Sequence, residues 1–172
     1  MCTAESVRYA GIDSFEICNG TGFGVTLFTQ GCSHHCEGCH NPSTWDKHGG
    51  KPFTIADEEM LKERCLNPNV MRLTISGGEP FESPELFNHI AAWFRKNCPG
   101  KQLWVYSGYT FEELMDNPLK KALLLMCDVL VDGPFILAKR DITLAFRGST
   151  NQRIVDIAMS VKCGHVVERR IP

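Results

Sequence analysis

The sequence is organised around one short segment, Gly31-Cys32-Ser33-His34-His35-Cys36-Glu37-Gly38-Cys39-His40-Asn41. Its three cysteines follow C-x3-C-x2-C spacing, so a single loop can direct three thiolates at one inorganic cluster. A closed 4Fe–4S site normally uses four thiolates, and three leave one iron without a protein ligand. An open metal position is where catalytic metal sites bind a small molecule. We therefore expect Cys32, Cys36 and Cys39 to hold a 4Fe–4S cluster whose fourth iron binds a small molecule.

The same segment could instead bind zinc. His34, His35 and His40 lie among the cysteines, and a Cys3His site can be built from these side chains. Zinc modules usually carry two ligand pairs separated by a spacer, whereas this segment has one tight triplet and no second pair of cysteines. The spacing favours the cluster and leaves zinc open. We expect His40 to be a stacking or hydrogen-bonding contact beside the cluster, and His34 and His35 to be solvated.

Length and composition describe an ordinary globular protein. The 172 residues suit one domain, 1–172, and 43% hydrophobic with 22% charged residues is typical of a soluble chain. The net charge is −2 and no basic patch stands out, so nucleic acid is not an expected partner. No apolar run approaches the roughly 20 residues of a membrane span. We therefore expect no membrane partner.

The cysteine count points to a reducing compartment. Nine cysteines are many for this length, and an odd number does not suit a disulfide framework. Residues 1–12 lack the apolar run and positive flank of a signal peptide. The expected location is the cytoplasm, with reduced thiols. Six cysteines lie outside the motif, and most of them are expected to be buried as small hydrophobic side chains: Cys2, Cys18, Cys65, Cys98, Cys127 and Cys163.

Strand and helix patterns alternate on both sides of the central segment. Strands are predicted at 25–29, 72–76, 102–106, 128–132 and 153–157, with a weaker strand or hairpin at 7–17. Helices are predicted at 55–65 (after a Thr54 cap), from 84 to about 98, at 111–115 (after a Thr110 cap) and at 118–126, with a helical turn at 136–140. This alternation favours a mostly parallel sheet with crossover helices. Five or six strands are too few for a closed eight-stranded barrel, so the predicted α/β fold is a partial, open β/α barrel.

Four predicted strands end in unusual loops. They are followed by the cysteine segment, Gly77-Gly78-Glu79-Pro80, Ser107-Gly108-Tyr109 and Asp132-Gly133-Pro134. The carboxyl ends of parallel strands meet at one edge of a sheet, so these loops predict a single site. Glycines let a ligand approach the backbone, and Ser107 and Asp132 offer a hydroxyl and a carboxylate. A simple turn at Ser107-Gly108 and a helix cap at Asp132 remain alternatives.

C-x3-C-x2-C spacing followed by a strand-borne Gly-Gly-Glu-Pro turn resembles the radical S-adenosylmethionine (SAM) superfamily. The resemblance implies that Cys32, Cys36 and Cys39 bind the cluster and that the methionine part of SAM chelates the open iron through its amine and carboxylate. It also implies a set of SAM contacts: Gly77, Gly78 and Glu79 at the methionine amine, His40 near the adenine, Ser107 and Asp132 at strand ends, and Gly38 and Cys39 as further cofactor-binding residues.

The resemblance narrows to the family of activating proteins for the anaerobic (class III) ribonucleoside-triphosphate reductase, over about residues 12–157. It rests on TQGC (29–32), CHNPSTW (39–45), SGGEP (76–80), WVYSGY (104–109), VLVDG (129–133) and RGSTNQR (147–153). It implies that a donor such as flavodoxin reduces the cluster and that SAM is cleaved to methionine and a 5′-deoxyadenosyl radical. That radical would take a hydrogen atom from a glycine Cα of the reductase. Residues 147–153 would shape the SAM pocket or the surface that meets the reductase.

Two alternatives stay open from the sequence. A radical SAM enzyme that acts on a small molecule would carry the same motifs, although a short chain leaves little sequence to enclose such a substrate. A zinc or Fe–S binding module without SAM chemistry would leave the Gly77-Gly78-Glu79-Pro80 loop and the β/α alternation unexplained.

Overall fold

The computed structural model describes residues 7–171, which form a mixed α/β fold around one seven-stranded sheet. The strands are β1 (Arg8–Glu16), β2 (Gly24–Thr29), β3 (Lys51–Pro52), β4 (Arg72–Gly77), β5 (Gln102–Tyr106), β6 (Val129–Asp132) and β7 (Arg153–Asp156). The helices are α1 (Ile55–Leu66), α2 (Pro84–Asn97), α3 (Phe111–Asp116), α4 (Pro118–Leu124) and α5 (Ile157–Cys163). Short 3-10 turns occupy Pro42–Thr44, Pro80–Glu82 and Leu137–Lys139.

The sheet is open, and its strand order is β3-β1-β2-β4-β5-β6-β7. The four central strands β2, β4, β5 and β6 are parallel, whereas β1 and β7 run antiparallel to their neighbours. Because β3 pairs antiparallel with β1, it runs in the same direction as the central strands. Five of the seven strands therefore share one direction, which confirms the predicted mostly parallel sheet.

The outer parts of the sheet differ in detail from the sequence-based expectations. The segment predicted as a strand or hairpin is a single bulged strand, β1. The two-residue strand β3 was not predicted, since two exposed residues carry no periodic signal. The predicted last strand is one residue shorter, because Ile157 already begins α5. After α5 the chain returns along β7, where the Asp156 backbone N–H donates to the Val167 carbonyl at 2.9 Å.

The helix starts follow local sequence signals. The Thr54 hydroxyl accepts from the Asp57 N–H while the Asp57 carboxylate accepts from the Thr54 N–H, which forms a reciprocal capping box at α1. Thr110 and Glu113 form the same arrangement at α3. These contacts confirm the predicted caps, because capping depends on residues only three positions apart.

One face of the sheet carries the main hydrophobic core. Alternate strand residues point toward helices α1 to α4, where their side chains are buried. The strand residues of this face are Val25, Leu27, Leu73, Ile75, Leu103, Val105 and Leu130. The helix residues against them are Leu61, Cys65, Leu86, Phe87, Ile90, Ala91, Phe94, Phe111, Leu114, Leu123 and Leu124. We call this side the helix-covered face.

The opposite side, here the cavity face, has a different composition. A smaller apolar cluster forms around Trp104, Val129, Val131 and Ile154. Next to it, the fully buried Arg72 donates to Glu16 Oε1 at 2.6 Å and to Thr74 Oγ1 at 3.0 Å. The helix-covered face therefore holds the chain together, whereas the cavity face combines apolar contacts with a buried ion pair.

The scattered cysteines divide between interior and surface. Cys65, Cys98 and Cys127 are buried, as predicted, whereas Cys18 and Cys163 are exposed. Cys2 lies outside the described residues, as does the first part of the 1–12 segment that was expected to carry no signal peptide. No helix within residues 7–171 is both long and apolar enough to span a bilayer.

Candidate functional site

A cavity of about 380 Å³ lies where the parallel strands end. It brings together eight of the ten residues that the sequence predicted for the site: Cys32, Cys36, Cys39, His40, Gly77, Gly78, Glu79 and Ser107. Its volume lies within the range of small-molecule sites, and its position is the usual one for ligands of parallel α/β sheets. The predicted convergence of separate loops on one site is therefore what the structure shows.

The cysteine loop, Gly31–Asn41, is fixed at its start by backbone hydrogen bonds. The N–H groups of Gly31 and Cys32 donate to the carbonyls of Thr44 and Trp45 at 2.8 and 3.1 Å. The three thiols are partly buried. Burial raises the pKa of the Cys32 thiol to about 11, with smaller contributions from nearby carboxylates. A metal bound there would displace the thiol proton, as coordination does in general.

The glycine turn, Gly77–Pro80, is joined directly to the start of the cysteine loop. Gly77 has φ +103°, and a Cβ on Gly78 would lie 2.3 Å from the Gly31 carbonyl oxygen. The Glu79 N–H donates to that same carbonyl at 2.7 Å. Only glycine fits this approach of two backbones. The turn and the loop therefore hold one another in place.

The Glu79 carboxylate links three loops of the site. It is 1% exposed and accepts from the Ser107 hydroxyl at 3.0 Å, from the Gly108 N–H at 2.8 Å and from the Phe81 N–H at 3.1 Å. His34 Nε2 lies 3.0 Å from Glu79 Oε2. The side chains of Glu79 and Ser107 thus interact with each other, and their contact with a bound molecule stays a prediction.

The expectation that His34 is solvated was wrong. Its side chain is only 18% exposed and forms an ion pair with Glu79, whose hydrogen bond raises the pKa of the imidazole. A Cβ on Gly108 would lie 2.4 Å from the His34 ring, so this glycine makes room for the histidine. Sequence reasoning missed the contact because the two residues come from distant loops. His35, in contrast, is exposed as expected, with its ring edge against Trp45.

A second carboxylate anchors the cysteine loop and was not predicted. Glu82 accepts from the Ser33 N–H at 3.0 Å and from the Ser33 hydroxyl. It also accepts from the Tyr109 hydroxyl at 3.0 Å. The glycine turn and the residues just after it therefore hold the cysteine loop at both Ser33 and His34.

Two predicted residues do not line the cavity. The Asp132 carboxylate is buried and accepts from the Phe111 N–H at 2.8 Å and from Arg153 Nε at 3.0 Å. This agrees with the alternative that Asp132 caps a helix, and its contact with SAM stays a prediction. Gly38 is exposed, and a Cβ at this position would lie 2.9 Å from Leu137 Cδ1 and 3.4 Å from Phe135 Cε1.

The segment between β6 and β7 closes one side of the cavity. Phe135, Leu144 and Phe146 line it, and the Phe135 ring lies 5.3 Å from the His40 ring, centroid to centroid. Gln152 Oε1 accepts from the Gly148 N–H at 2.9 Å, and Gln152 Nε2 donates to the Gly133 carbonyl at 3.0 Å. Residues 147–153 were expected to shape either the SAM pocket or the surface that meets the reductase, and Arg147, Gly148 and Gln152 line the cavity. The sequence gave no sign that the phenylalanines form a wall.

Within residues 7–171, no three His, Cys, Asp or Glu side chains come close enough to hold a single metal ion.

A family profile described as a 4Fe-4S single cluster domain matches residues 18–155. A protein of Escherichia coli strain K12, named anaerobic ribonucleoside-triphosphate reductase-activating protein, is 38% identical over 142 residues, which cover 80% of this chain and 90% of the relative.

The chain belongs to the family of anaerobic ribonucleoside-triphosphate reductase-activating proteins. Two further relatives carry the same name. The Salmonella typhi protein is 37% identical over 151 residues, 85% of this chain and 96% of the relative. The protein of enterobacteria phage T4 is 33% identical over 153 residues, 86% of this chain and 93% of the relative. Membership confirms the predicted family, and the matched domain favours an iron–sulfur cluster over zinc.

Proposed function

We propose that this chain is a radical SAM activase that generates the glycyl radical on an anaerobic ribonucleoside-triphosphate reductase. The observation that carries this proposal is the convergence of three thiols and the glycine turn on one cavity of about 380 Å³. The relatives' shared name supplies the reductase as the partner. We propose that residues 1–172 act as one domain and that the sheet is a partial barrel of the radical SAM type.

The donor set of the cysteine loop fits a 4Fe–4S cluster with one open iron. Cys32, Cys36 and Cys39 supply three thiols to one cavity, and the matched domain is of the single-cluster type. Among the other cysteines that the structure describes, Cys65, Cys98 and Cys127 are buried in the core and Cys163 is exposed, whereas Cys18 also lines the cavity but lies outside the cysteine loop. A fourth iron without a protein ligand is then available to a small molecule.

The remaining cavity walls suit SAM. The backbone of Gly77 and Gly78 lines the cavity, and Gly78 lies directly against Gly31 at the start of the cysteine loop. His40 and Phe135 form an aromatic pair in the lining, which suits an adenine ring. Cys32, Cys36 and Cys39 would hold the cluster, which would supply the one electron for reductive cleavage of SAM to methionine and a 5′-deoxyadenosyl radical, and a glycine Cα of the reductase would be the hydrogen donor to that radical.

The chain's own residues position the reactants and exclude water. Glu79 and Glu82 hold the cysteine loop against the glycine turn, so the cluster and SAM keep a fixed relative position. Phe28, Phe135 and Phe146 contribute apolar walls to the cavity, which disfavour water there. Such walls protect a reactive carbon radical from side reactions.

The electron donor and the location belong to the same proposal. A low-potential carrier protein such as flavodoxin would deliver the electron, because the open cluster has to be reduced before SAM is cleaved. We propose a cytoplasmic location, because oxidation-sensitive thiols suit a reducing compartment. We also propose that the chain has no nucleic acid or membrane partner, which agrees with its net charge of −2.

The test is anaerobic. The chain is reconstituted with iron and sulfide, reduced and given SAM, and 5′-deoxyadenosine is quantified with and without the reductase. Electron paramagnetic resonance then follows the glycyl radical on the reductase. Cys36→Ala should lose SAM cleavage by at least about 1,000-fold, a barrier increase of about 4 kcal/mol, because the cluster would lose one of its three thiolate ligands. Cys163→Ala, which changes an exposed cysteine outside the loop, is the matched control.

The outcomes separate the alternatives. Cleavage that Cys36→Ala abolishes, together with a radical on the reductase, establishes the activase. Cleavage without a radical on the reductase would indicate a small-molecule substrate instead. A chain that binds zinc but no iron after reconstitution would contradict the proposal as a whole.

A further inference from the structure

Residues 134–148, here called the strap, connect β6 to β7 and have two different faces. The inner face consists of Phe135, Leu144 and Phe146, which line the cavity. The outer face exposes large apolar side chains that belong to neither hydrophobic cluster: Ile142 is 83% exposed, Leu137 43% and Ile136 36%. Exposed apolar side chains grouped in one segment, beside a functional cavity, are typical of an interaction site.

A shallow groove runs along the outer face of the strap. It is lined by residues 137–142 and by Thr150. Lys139 and Arg140 are exposed beside Ile142. Asp141 lies between them and Ile142, but its carboxylate accepts from the backbone N–H of Thr143 at 2.9 Å and from the Thr143 hydroxyl at 2.6 Å. Within residues 7–171, neither Lys139 nor Arg140 forms an ion pair, so the groove offers an apolar side chain and two unpaired cations.

The groove is held in shape before any partner arrives. Arg140 and Ser149 form an antiparallel bridge, and the Thr150 N–H donates to the Lys139 carbonyl at 2.9 Å. The Asp141 N–H donates to the Gly148 carbonyl at 3.1 Å. A preformed surface loses little conformational entropy when it binds, which favours affinity.

The strap is part of the rim of the cavity. A Cβ on Gly38 would lie 2.9 Å from Leu137 Cδ1, so the groove residue Leu137 packs against the cysteine loop. A polypeptide that places one backbone carbon inside the cavity has to cover this rim with the rest of its surface. One part of the rim that carries exposed apolar side chains is the outer face of the strap.

We propose that this groove docks the polypeptide substrate, through a segment of the substrate that presents an apolar side chain flanked by carboxylates. The apolar side chain would contact Ile142, and the carboxylates would pair with Lys139 and Arg140. This inference rests on the proposed function, which supplies the reductase as the partner. It adds the surface, the contacting residues and the chemistry of the segment that they recognise.

The test uses the reconstituted full-length chain and purified anaerobic reductase. Ile142→Ser removes the apolar contact, and Lys139→Glu combined with Arg140→Glu reverses the charge. The matched controls are Ile55→Ser, which changes an apolar side chain that is 77% exposed on α1, and the pair Lys96→Glu and Lys121→Glu on α2 and α4. Each variant is measured for affinity to the reductase, for glycyl radical yield and for SAM cleavage without the reductase.

Each strap variant should bind the reductase at least ten-fold more weakly. The loss of glycyl radical should be recovered at high reductase concentration, because docking rather than chemistry is impaired. SAM cleavage without the reductase should stay at the wild-type rate in all variants. Added salt should weaken the wild-type complex more than the charge-reversed one, since charged contacts are screened.

Three results would overturn the inference, and they are distinguishable. Strap variants that bind the reductase and form the radical as the wild type does would show that docking occurs elsewhere. A wild-type chain that cleaves SAM yet leaves no radical on the reductase would overturn the proposed function, and this inference with it. Equal losses in the control variants would also count against the strap, because the effect would not be local.

Discussion

The two faces of the sheet are built from alternate residues of the same strands, yet they are stabilised in different ways. On the helix-covered face, Leu27, Ile75 and Val105 are fully buried in the main core beneath the helices. On the cavity face, the strand neighbours Thr26 and Thr74 are equally buried but polar. The first face is stabilised by removal of apolar surface from water, and the second depends on completed hydrogen bonds.

The polar part of the cavity face is one connected network. Arg72 reaches Glu16 Oε1 at 2.6 Å, and the Thr26 hydroxyl donates to the same carboxylate oxygen at 2.6 Å. The Thr74 hydroxyl donates to the Asn19 carbonyl at 2.9 Å. Cys18 and Asn19 line the cavity, so this network fixes the backbone on that side of it. The helix-covered face therefore contributes most of the stability, whereas the buried polar groups of the cavity face shape a site.

The largest loss of stability is expected on the helix-covered face. Phe87 is fully buried against Phe81, and Phe87→Ala should lower the free energy of unfolding by about 3–5 kcal/mol, because a cavity replaces the ring. Urea denaturation of the metal-free chain under reducing, anaerobic conditions measures this. The exposed Ile55→Ala should change stability by no more than about 0.5 kcal/mol. A loss below about 1 kcal/mol for Phe87→Ala would contradict this account of the core.

A smaller but substantial loss is expected from the buried ion pair of the cavity face. Arg72→Met should cost about 3 kcal/mol, because the Glu16 carboxylate keeps its charge in a largely buried position without its partner. The double variant Glu16→Gln with Arg72→Met should recover at least about 1 kcal/mol of that loss, since no unpaired charge remains. Additive effects of the two substitutions in denaturation experiments would argue against the pairing.

A still smaller effect on stability is expected from Glu79→Gln. One amide oxygen can still accept, but the amide nitrogen would face N–H donors of Gly108 or Phe81, so we expect a loss of about 1–2 kcal/mol. Hydrogen exchange of residues 31–41 should accelerate, because the tie to His34 is weakened. The exposed Glu85→Gln is the control, and unchanged exchange in Glu79→Gln would refute the linking role of this carboxylate.

The smallest effect on the free energy of unfolding is expected when the pH is lowered. Hydrogen bonds from Arg72 and Thr26 hold the pKa of the Glu16 carboxyl below its ordinary value of 4.5, although burial acts in the opposite direction. A lowered folded-state pKa contributes stability that is present above the ordinary value and is lost as the pH falls through the lowered one. The stability difference between wild type and Glu16→Gln should therefore shrink below about pH 4.5. A difference that stays constant from pH 7 to pH 3 would contradict this.

The central part of the fold was predictable because its signals are local. The central strands β2, β4, β5 and β6 have either alternating apolar and polar residues or continuous apolar runs. Thr54 and Thr110 mark helix starts, and each pairs with an acidic residue three positions later. The edge of the sheet was not predictable in the same way. The two residues of β3 have no pattern, and the direction of β7 depends on how the strap folds back.

The site shows the same division between local and distant information. Motif spacing indicated which loops carry the chemistry, and eight of the ten predicted residues line one cavity. Sequence reasoning did not assign the partners of their side chains. Glu79 and Ser107 bind each other, Asp132 binds Arg153, and His34 is held by Glu79 rather than by water.

The sequence by itself determined the cysteine triplet, the glycine turn, the β/α alternation and the family, because each depends on residue types at short spacings. Only the tertiary structure decided which carboxylates anchor the cysteine loop, that Arg72 and Glu16 form a buried pair, and that the strap presents an outer groove. These contacts join residues up to 56 positions apart. Such pairs are selected by the packing of the whole sheet and leave no periodic trace along the chain.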